Sequence, residues 1–263
     1  TWTDTEMFGE TAGRIYSTFG NPNVFGEYLL MVMPITFGLM LKSGSANKKI
    51  IYFSTFVLQF ICMILTYSRG CWIGMALSLG VLIVFTRRKL TSLMIFALLL
   101  APLFIPEAIM QRLLSIGNVA DTSTSYRVYI WQGTIRMLKD FWFCGVGIGE
   151  AAFGNVYPSY SLNAVSAPHA HNLYLHILSE TGILGMAVVL TLIVLFYKYI
   201  SSAAMKNADC KITAVSLGAA MIGYLVQGMF DNVWYNYRIY FFFFVVLALG
   251  AALKDVSVRE EIK

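Results

Sequence analysis

Charge is what this chain has least of. Only 13% of its 263 residues are charged against 58% hydrophobic, and its mean hydropathy is +0.68. A soluble domain carries about 25% charged residues, so this chain cannot cover a water-facing surface of its own. A freely soluble enzyme is excluded and an integral membrane protein is indicated. Cysteine is scarce as well. Cys62, Cys71, Cys144 and Cys210 have no paired spacing, which removes a disulfide framework and a cysteine-based zinc site. No internal repeat or low-complexity tract is present. No basic cluster interleaves with aromatics in the way a nucleic-acid site needs, so the net charge of +5 points to insertion and anionic lipid instead.

What fills the chain is long apolar runs. Seven are legible, roughly Val24–Leu41, Ile50–Tyr67, Trp72–Thr86, Leu90–Pro106, Gly182–Ile200, Ile212–Phe230 and Ile239–Leu253. They are continuously apolar, without the ten-residue alternation of a barrel, so each is predicted to be a membrane helix. The expected fold is therefore all-α: one membrane domain over 1–263 with about seven transmembrane helices.

Lysine and arginine set the expected orientation. Lys42, Lys48 and Lys49 follow the first run, Arg87, Arg88 and Lys89 the third, and Lys198, Lys206 and Lys211 the fifth. Alternation of the spans is consistent with all three loops being cytoplasmic. The N-terminal arm, the Ser68-Arg69-Gly70 corner, the loop of residues 107–171 and the Asp231–Arg238 turn then face outward. In the long loop, Arg112, Arg127, Arg136 and Lys139 are balanced by Glu107, Asp121, Asp140 and Glu150. A first residue Thr1 on the outer side, with no signal peptide ahead of it, reads as the C-terminal part of a longer protein.

The outer loop is too long for a simple connector. From Ser125 through Tyr126, Arg127 and Trp131 to Phe141-Trp142-Phe143, apolar and charged residues mix at helical spacing. This predicts an amphipathic helix lying at the interface. Gly145-Val146-Gly147-Ile148-Gly149 then reads as a flexible turn, since no strand precedes it and its spacing is not that of a dinucleotide fingerprint.

The candidate chemistry sits at the outer boundary. All three histidines fall between His169 and His176, where Pro168-His169-Ala170-His171-Asn172-Leu173 leads from loop to helix. Imidazole exchanges a proton near neutral pH without prior adjustment. Arg69 occupies a tight corner where an uncharged turn would serve, and charge beside a bilayer is costly to place. Arg127 opens the interfacial helix. Two guanidinium groups and an imidazole suit an anionic headgroup and a proton transfer, because arginine binds phosphate oxygens through a planar fork. His169, Glu180 and Arg238 are candidate supporting residues. A metal held by His169 and His171 is disfavoured, because His176 is off the face of His171 and no acidic residue adjoins them in sequence. Asp4-Thr5-Glu6 looks like an acid-x-acid motif of nucleotide-sugar enzymes, but it is isolated on the outer side and is set aside.

Five segments carry a resemblance when taken in order. They are Gly20-Asn21-Pro22-Asn23, Ser68-Arg69-Gly70, Tyr126-Arg127-x-x-x-Trp131, Gly145-Val146-Gly147-Ile148-Gly149, and His171-Asn172 with Glu180-x-Gly182-Ile183-x-Gly185. The series resembles the O-antigen ligase and Wzy-type polymerase superfamily of bacterial envelope glycosyltransferases, whose members have around a dozen spans. The resemblance implies a multi-pass protein of the bacterial cytoplasmic membrane with its active face extracytoplasmic. The donor would be a glycan on undecaprenyl pyrophosphate and the acceptor a hydroxyl on a glycan, a lipid or a protein. Arg69 and Arg127 would hold the pyrophosphate, His171 would be the general base, and no metal or cofactor would be required. A multi-pass solute carrier of the bicarbonate type is the rival reading, and a non-catalytic membrane subunit the third. A carrier is expected to place ionisable groups in broken helices near mid-membrane, whereas here they gather at the outer boundary.

Overall fold

The structure, a computed structural model, describes residues 13–100, 105–118 and 120–261. The Asp4-Thr5-Glu6 segment lies outside them. The described residues form helices and no strand: α1 (Pro22–Lys42), α2 (Ala46–Leu65), α3 (Arg69–Thr86), α4 (Lys89–Leu100), α5 (Glu107–Leu114), α6 (Thr122–Phe141), α7 (Glu150–Val156), α8 (Leu173–Lys206), α9 (Ala208–Gln227) and α10 (Tyr237–Glu261). Six of these, α1, α2, α3, α8, α9 and α10, are long and apolar enough to cross a membrane. The fourth apolar run appears as α4, which is helical for 12 residues before residues 101–104, which are not described.

In lipid there is no hydrophobic gain from bringing two apolar helices together, so close packing through small residues decides the contacts. The chain supplies them. Gly74 of α3 faces the carbonyl of Gly223 on α9, with 2.6 Å between that oxygen and the place a Cβ would occupy. Gly26 of α1 sits against Cys71, and Gly38 against Ser216. These three contacts fasten α1, α3 and α9 into the centre of the bundle, with α2 on one flank and α8 and α10 on the other. Ile50, Ile51, Phe53 and Leu58 of α2 remain more than half exposed, as a lipid-facing helix requires.

Helix α8 is broken at Gly182, whose φ of 64° and ψ of −164° are open only to glycine. A break in a helix strands backbone donors and acceptors. Here the loop after α6 satisfies them. Val146 N–H donates to Ser179 O at 2.7 Å and Gly147 N–H to Glu180 O at 3.1 Å, while Ile183 N–H donates to Trp142 O at 2.9 Å. The glycine-rich segment, expected to be a flexible turn, is instead docked. Gly145, Gly147 and Gly149 all have positive φ, and the backbones of residues 180 and 181 leave no room for a Cβ at Gly145.

The rest of the outer loop folds around its own small core of Ile130, Met137, Phe153, Tyr157, Ala167 and Ala170. Asp121 caps α6 by accepting from Thr124 N–H. The helix starts three residues earlier than its aromatic pattern indicated, because a cap is set by a single polar residue and not by periodicity. At about 1.5 Å per residue the 21-residue α1 is roughly 30 Å long. Among the described residues, the Ser68-Arg69-Gly70 corner, the outer loop and the Asp231–Arg238 turn therefore gather at one end of the bundle and the three basic loops at the other.

Candidate active site

At the outer-loop end a cavity of about 430 Å³ opens between α1, α3, α6 and the turn after α9. Arg69, Arg127, His169 and His171 line it, as do Arg14, Arg112, Asn23, Glu27 and Asp231. Four guanidinium groups thus face two carboxylates. An excess of fixed positive charge in a low-dielectric recess favours an anionic ligand.

His171 is built into place from four directions. Its backbone adopts φ 45°, a region that non-glycine residues enter only when held there. The holding contacts are explicit: His171 N–H donates to His169 Nδ1 at 3.2 Å, and Trp131 Nε1–H donates to His171 O at 3.0 Å. Tyr126 packs edge-on against the imidazole, and Asn172 caps α8 while its amide reaches Met229 O. Arg127 and Trp131 stand four residues apart on α6 and so share a face, which is why the Tyr126-Arg127-x-x-x-Trp131 spacing works.

The decisive partner is Asp231, which lies 60 residues away in the short turn after α9. Its Oδ1 is 3.0 Å from His171 Nδ1, and its Oδ2 is 3.6 Å from Arg127 Nη2. Burial alone would raise this carboxyl, but His171 and Arg127 outweigh it and hold the group well below the usual carboxylate range. An ionised carboxylate only accepts, so His171 Nδ1 carries a proton, and in the neutral imidazole it is Nε2 that presents a lone pair. Burial, then the neighbouring His171, lowers His169 to about 3, which keeps it a neutral hydrogen-bond acceptor.

The arginines divide into held and open. Arg69, the first residue of α3, donates to Ser115 O and Oγ and pairs with Asp121 at 2.9 Å. Arg112 reaches the same carboxylate at 3.6 Å. Burial works against ionisation of Asp121, yet Arg69, Thr124 and Arg112 together lower it. Arg69 therefore ties the outer loop to α3. Arg127 bonds Ser123 through Nη1, but its buried Nε has no partner among the described residues. An unsatisfied buried donor is costly unless a ligand accepts from it. Arg14 is almost fully buried, and burial followed by the charge of Arg112 pulls it to about 10, so it stays cationic at neutral pH.

Two supporting candidates fall elsewhere. Glu180 pairs with His176 at 3.3 Å and accepts from Gly149 N–H at 2.7 Å, holding the docked glycine segment outside the cavity lining. Arg238 donates to Thr18 O at 2.7 Å and lies over Phe19, outside the cavity lining. His169, His171 and Asp231 offer ligand atoms within 4.8 Å of one another, a set able to take a divalent ion if the hydrogen bond between His171 and Asp231 opened. Sequence reading missed Asp231, Arg14 and Arg112. A lone acid in a short turn between two apolar runs was the available signal for Asp231, by the same reasoning that singled out Arg69.

A family model described as O-antigen ligase matches residues 54–190, just over half of the chain. The chain belongs to the O-antigen ligase family. A search of curated proteins gives no match. The matched segment of this O-antigen ligase family member contains Arg69, Arg127, His169 and His171, while Arg14, Asn23 and Asp231 close the site from outside it. Membership implies glycosyl transfer of the ligase or polymerase type and gives no support to the solute-carrier reading.

Proposed function

We propose that the protein transfers a glycan from undecaprenyl pyrophosphate to an acceptor hydroxyl, with no metal ion, at the extracytoplasmic face of a bacterial cytoplasmic membrane. The observation that carries this reading is the His171–Asp231 pair facing four guanidinium groups in one cavity at the end of a membrane bundle. His171 Nε2 takes the proton of the acceptor hydroxyl as its oxygen attacks the anomeric carbon. The bond from that carbon to the pyrophosphate oxygen breaks, and the leaving diphosphate keeps the electron pair. Arg127, with its open Nε, and Arg69, fixed by Asp121, stabilise the charge that accumulates there. Fixed cations act most strongly where charge develops in the transition state. Asp231 stabilises the imidazolium that forms. The acceptor class is a hydroxyl on a glycan, a lipid or a protein, and the lipid bilayer holds the donor; nucleic acid has no part.

The test is glycan transfer by the full-length protein in nanodiscs supplied with a lipid-pyrophosphate glycan. Transfer with release of undecaprenyl pyrophosphate, unaffected by chelator, is expected. Activity abolished by chelator and restored by one divalent metal would overturn the metal-free mechanism. Solute flux without transfer would overturn the enzyme reading.

A further inference from the structure

The Gly20-Asn21-Pro22-Asn23 motif is only half explained by its helix start. Asn21 caps α1 by accepting from Asn23 N–H at 2.8 Å, and Pro22 takes the first helical position, where a missing N–H costs nothing. Neither role needs the Asn23 side chain. That side chain instead lines the cavity and bridges two charged groups. Arg14 Nη2 donates to Asn23 Oδ1 at 2.7 Å, and Asn23 Nδ2 donates to Asp231 Oδ2 at 3.2 Å. Arg14 is itself anchored, its Nε donating to Thr66 O at 2.7 Å.

The polarity of this chain is fixed by chemistry. A guanidinium can only donate and an ionised carboxylate can only accept, so the amide has one orientation: oxygen toward Arg14, nitrogen toward Asp231. The reversed amide would set donor against donor and acceptor against acceptor. The result is a line of donation from Arg14 through Asn23 to Asp231 Oδ2, met from the other side by His171, whose Nδ1–H donates to Oδ1 beside the Asn232 N–H. A neutral bridge also keeps a second guanidinium, that of Arg14, off Asp231, which Arg127 already approaches at 3.6 Å. A further, closer ion pair would compete with the imidazolium formed in the reaction for the same carboxylate.

We propose that Asn23 is a positioning residue for glycan transfer, acting through Asp231 on the His171 base, with Arg14 setting the direction of its amide. The inference rests on the reading of His171 as the base. Its test is a double-variant cycle on transfer by the full-length protein in nanodiscs. Asn23→Ala is expected to lower kcat about 10-fold or more while the KM for the lipid-pyrophosphate donor stays within about 2-fold. In an Asp231→Asn background the same change is expected to cost less than about 2-fold, because the link it breaks has no carboxylate left to act on. Asn23→Asp keeps the size and the Arg14 bond but faces Asp231 with an acceptor, so its kcat is expected to fall at least as far as that of Asn23→Ala. It also provides the reading should the alanine variant fold poorly. A kcat within about 2-fold of native in Asn23→Asp, or a full additive loss in the Asp231→Asn background, would overturn the proposal. If His171→Ala and Asp231→Asn themselves retain activity, the functional reading fails first, and the two failures are told apart.

Discussion

Asp231→Asn tests the carboxylate behind the base. The substitution keeps the size of the side chain and an oxygen that can still accept from Asn23 or Arg127, so the cavity wall is preserved. Its amide then turns N–H toward His171 Nδ1, so the negative charge beside the imidazole and the acceptor that keeps the proton on Nδ1 disappear together. With Nδ1 and Oδ1 3.0 Å apart, the charge centres of an imidazolium and this carboxylate are about 4 Å apart, worth about 4 kcal/mol at an effective dielectric near 20. That attraction is absent before the proton moves and present once it has moved, so it acts on the barrier. The charge alone corresponds to a fall in turnover of about 10³-fold. Donor affinity is expected to hold within a few fold, since the arginines remain. Single-turnover transfer by purified protein gives the rate, and equilibrium retention of labelled donor gives the affinity. Turnover within about 5-fold of native in Asp231→Asn, alongside collapse in His171→Ala, would show that the base works without its carboxylate and refute the reasoning.

Other expectations follow from the same geometry. Arg127→Ala is expected to weaken donor binding as well as turnover, with Arg127→Lys a partial rescue because a point charge lacks the fork, while the exposed Arg136→Ala stays near native; loss at Arg136 with none at Arg127 would reverse the assignment. Cysteines placed singly at the exposed positions 48, 88, 155 and 206, in a background without native cysteines, should label from outside intact cells only at 155; labelling at 88 would invert the topology. Gly182→Ala should destabilise the fold by about 1–3 kcal/mol from backbone strain alone, and by more from its collision with the Phe143 carbonyl, read as a lower melting temperature in detergent. His169 has its value lowered from 6.5 to about 3 on folding, so the unfolded chain binds its proton first. Stability should fall as pH drops from 6.5 toward 3, by about 1.4 kcal/mol per unit, and His169→Gln should flatten that slope; an unchanged slope would place the buried proton elsewhere.

The bundle was legible because its signal is compositional. Apolar runs long enough to span a bilayer cannot be read as much else, and six of the seven appear as helices of spanning length. Arg69, Arg127 and His171 were legible as charges where charge is costly, and the fold brings all three to one cavity. Asp231 was not, because a single acid in a turn carries no periodicity, and its meaning lies in a contact 60 residues away in sequence. Arg14 was hidden for the same reason: its partners, Thr66 and Asn23, belong to other elements. The glycine-rich segment was misjudged from the opposite direction. Glycine permits freedom in an isolated peptide, yet here it permits the backbone to approach Ser179 and Glu180 closely enough to bond them.

The interruption of α8 at Gly182 bears on how the protein is inserted. The carbonyls of Ser179 and Glu180 and the amide of Ile183 find partners in residues 142–147. Those residues are synthesised earlier and must already lie on the same side of the bilayer. A chain with one hairpin inverted would separate the two halves of this junction across the bilayer and leave their backbone groups unpaired, and an unmet backbone group that reaches lipid costs several kcal/mol. Correct and inverted topologies therefore differ by far more than a count of lysines in the loops conveys. The junction makes the topology self-consistent: its hydrogen bonds close only when the long loop and the head of α8 lie on the same side of the bilayer.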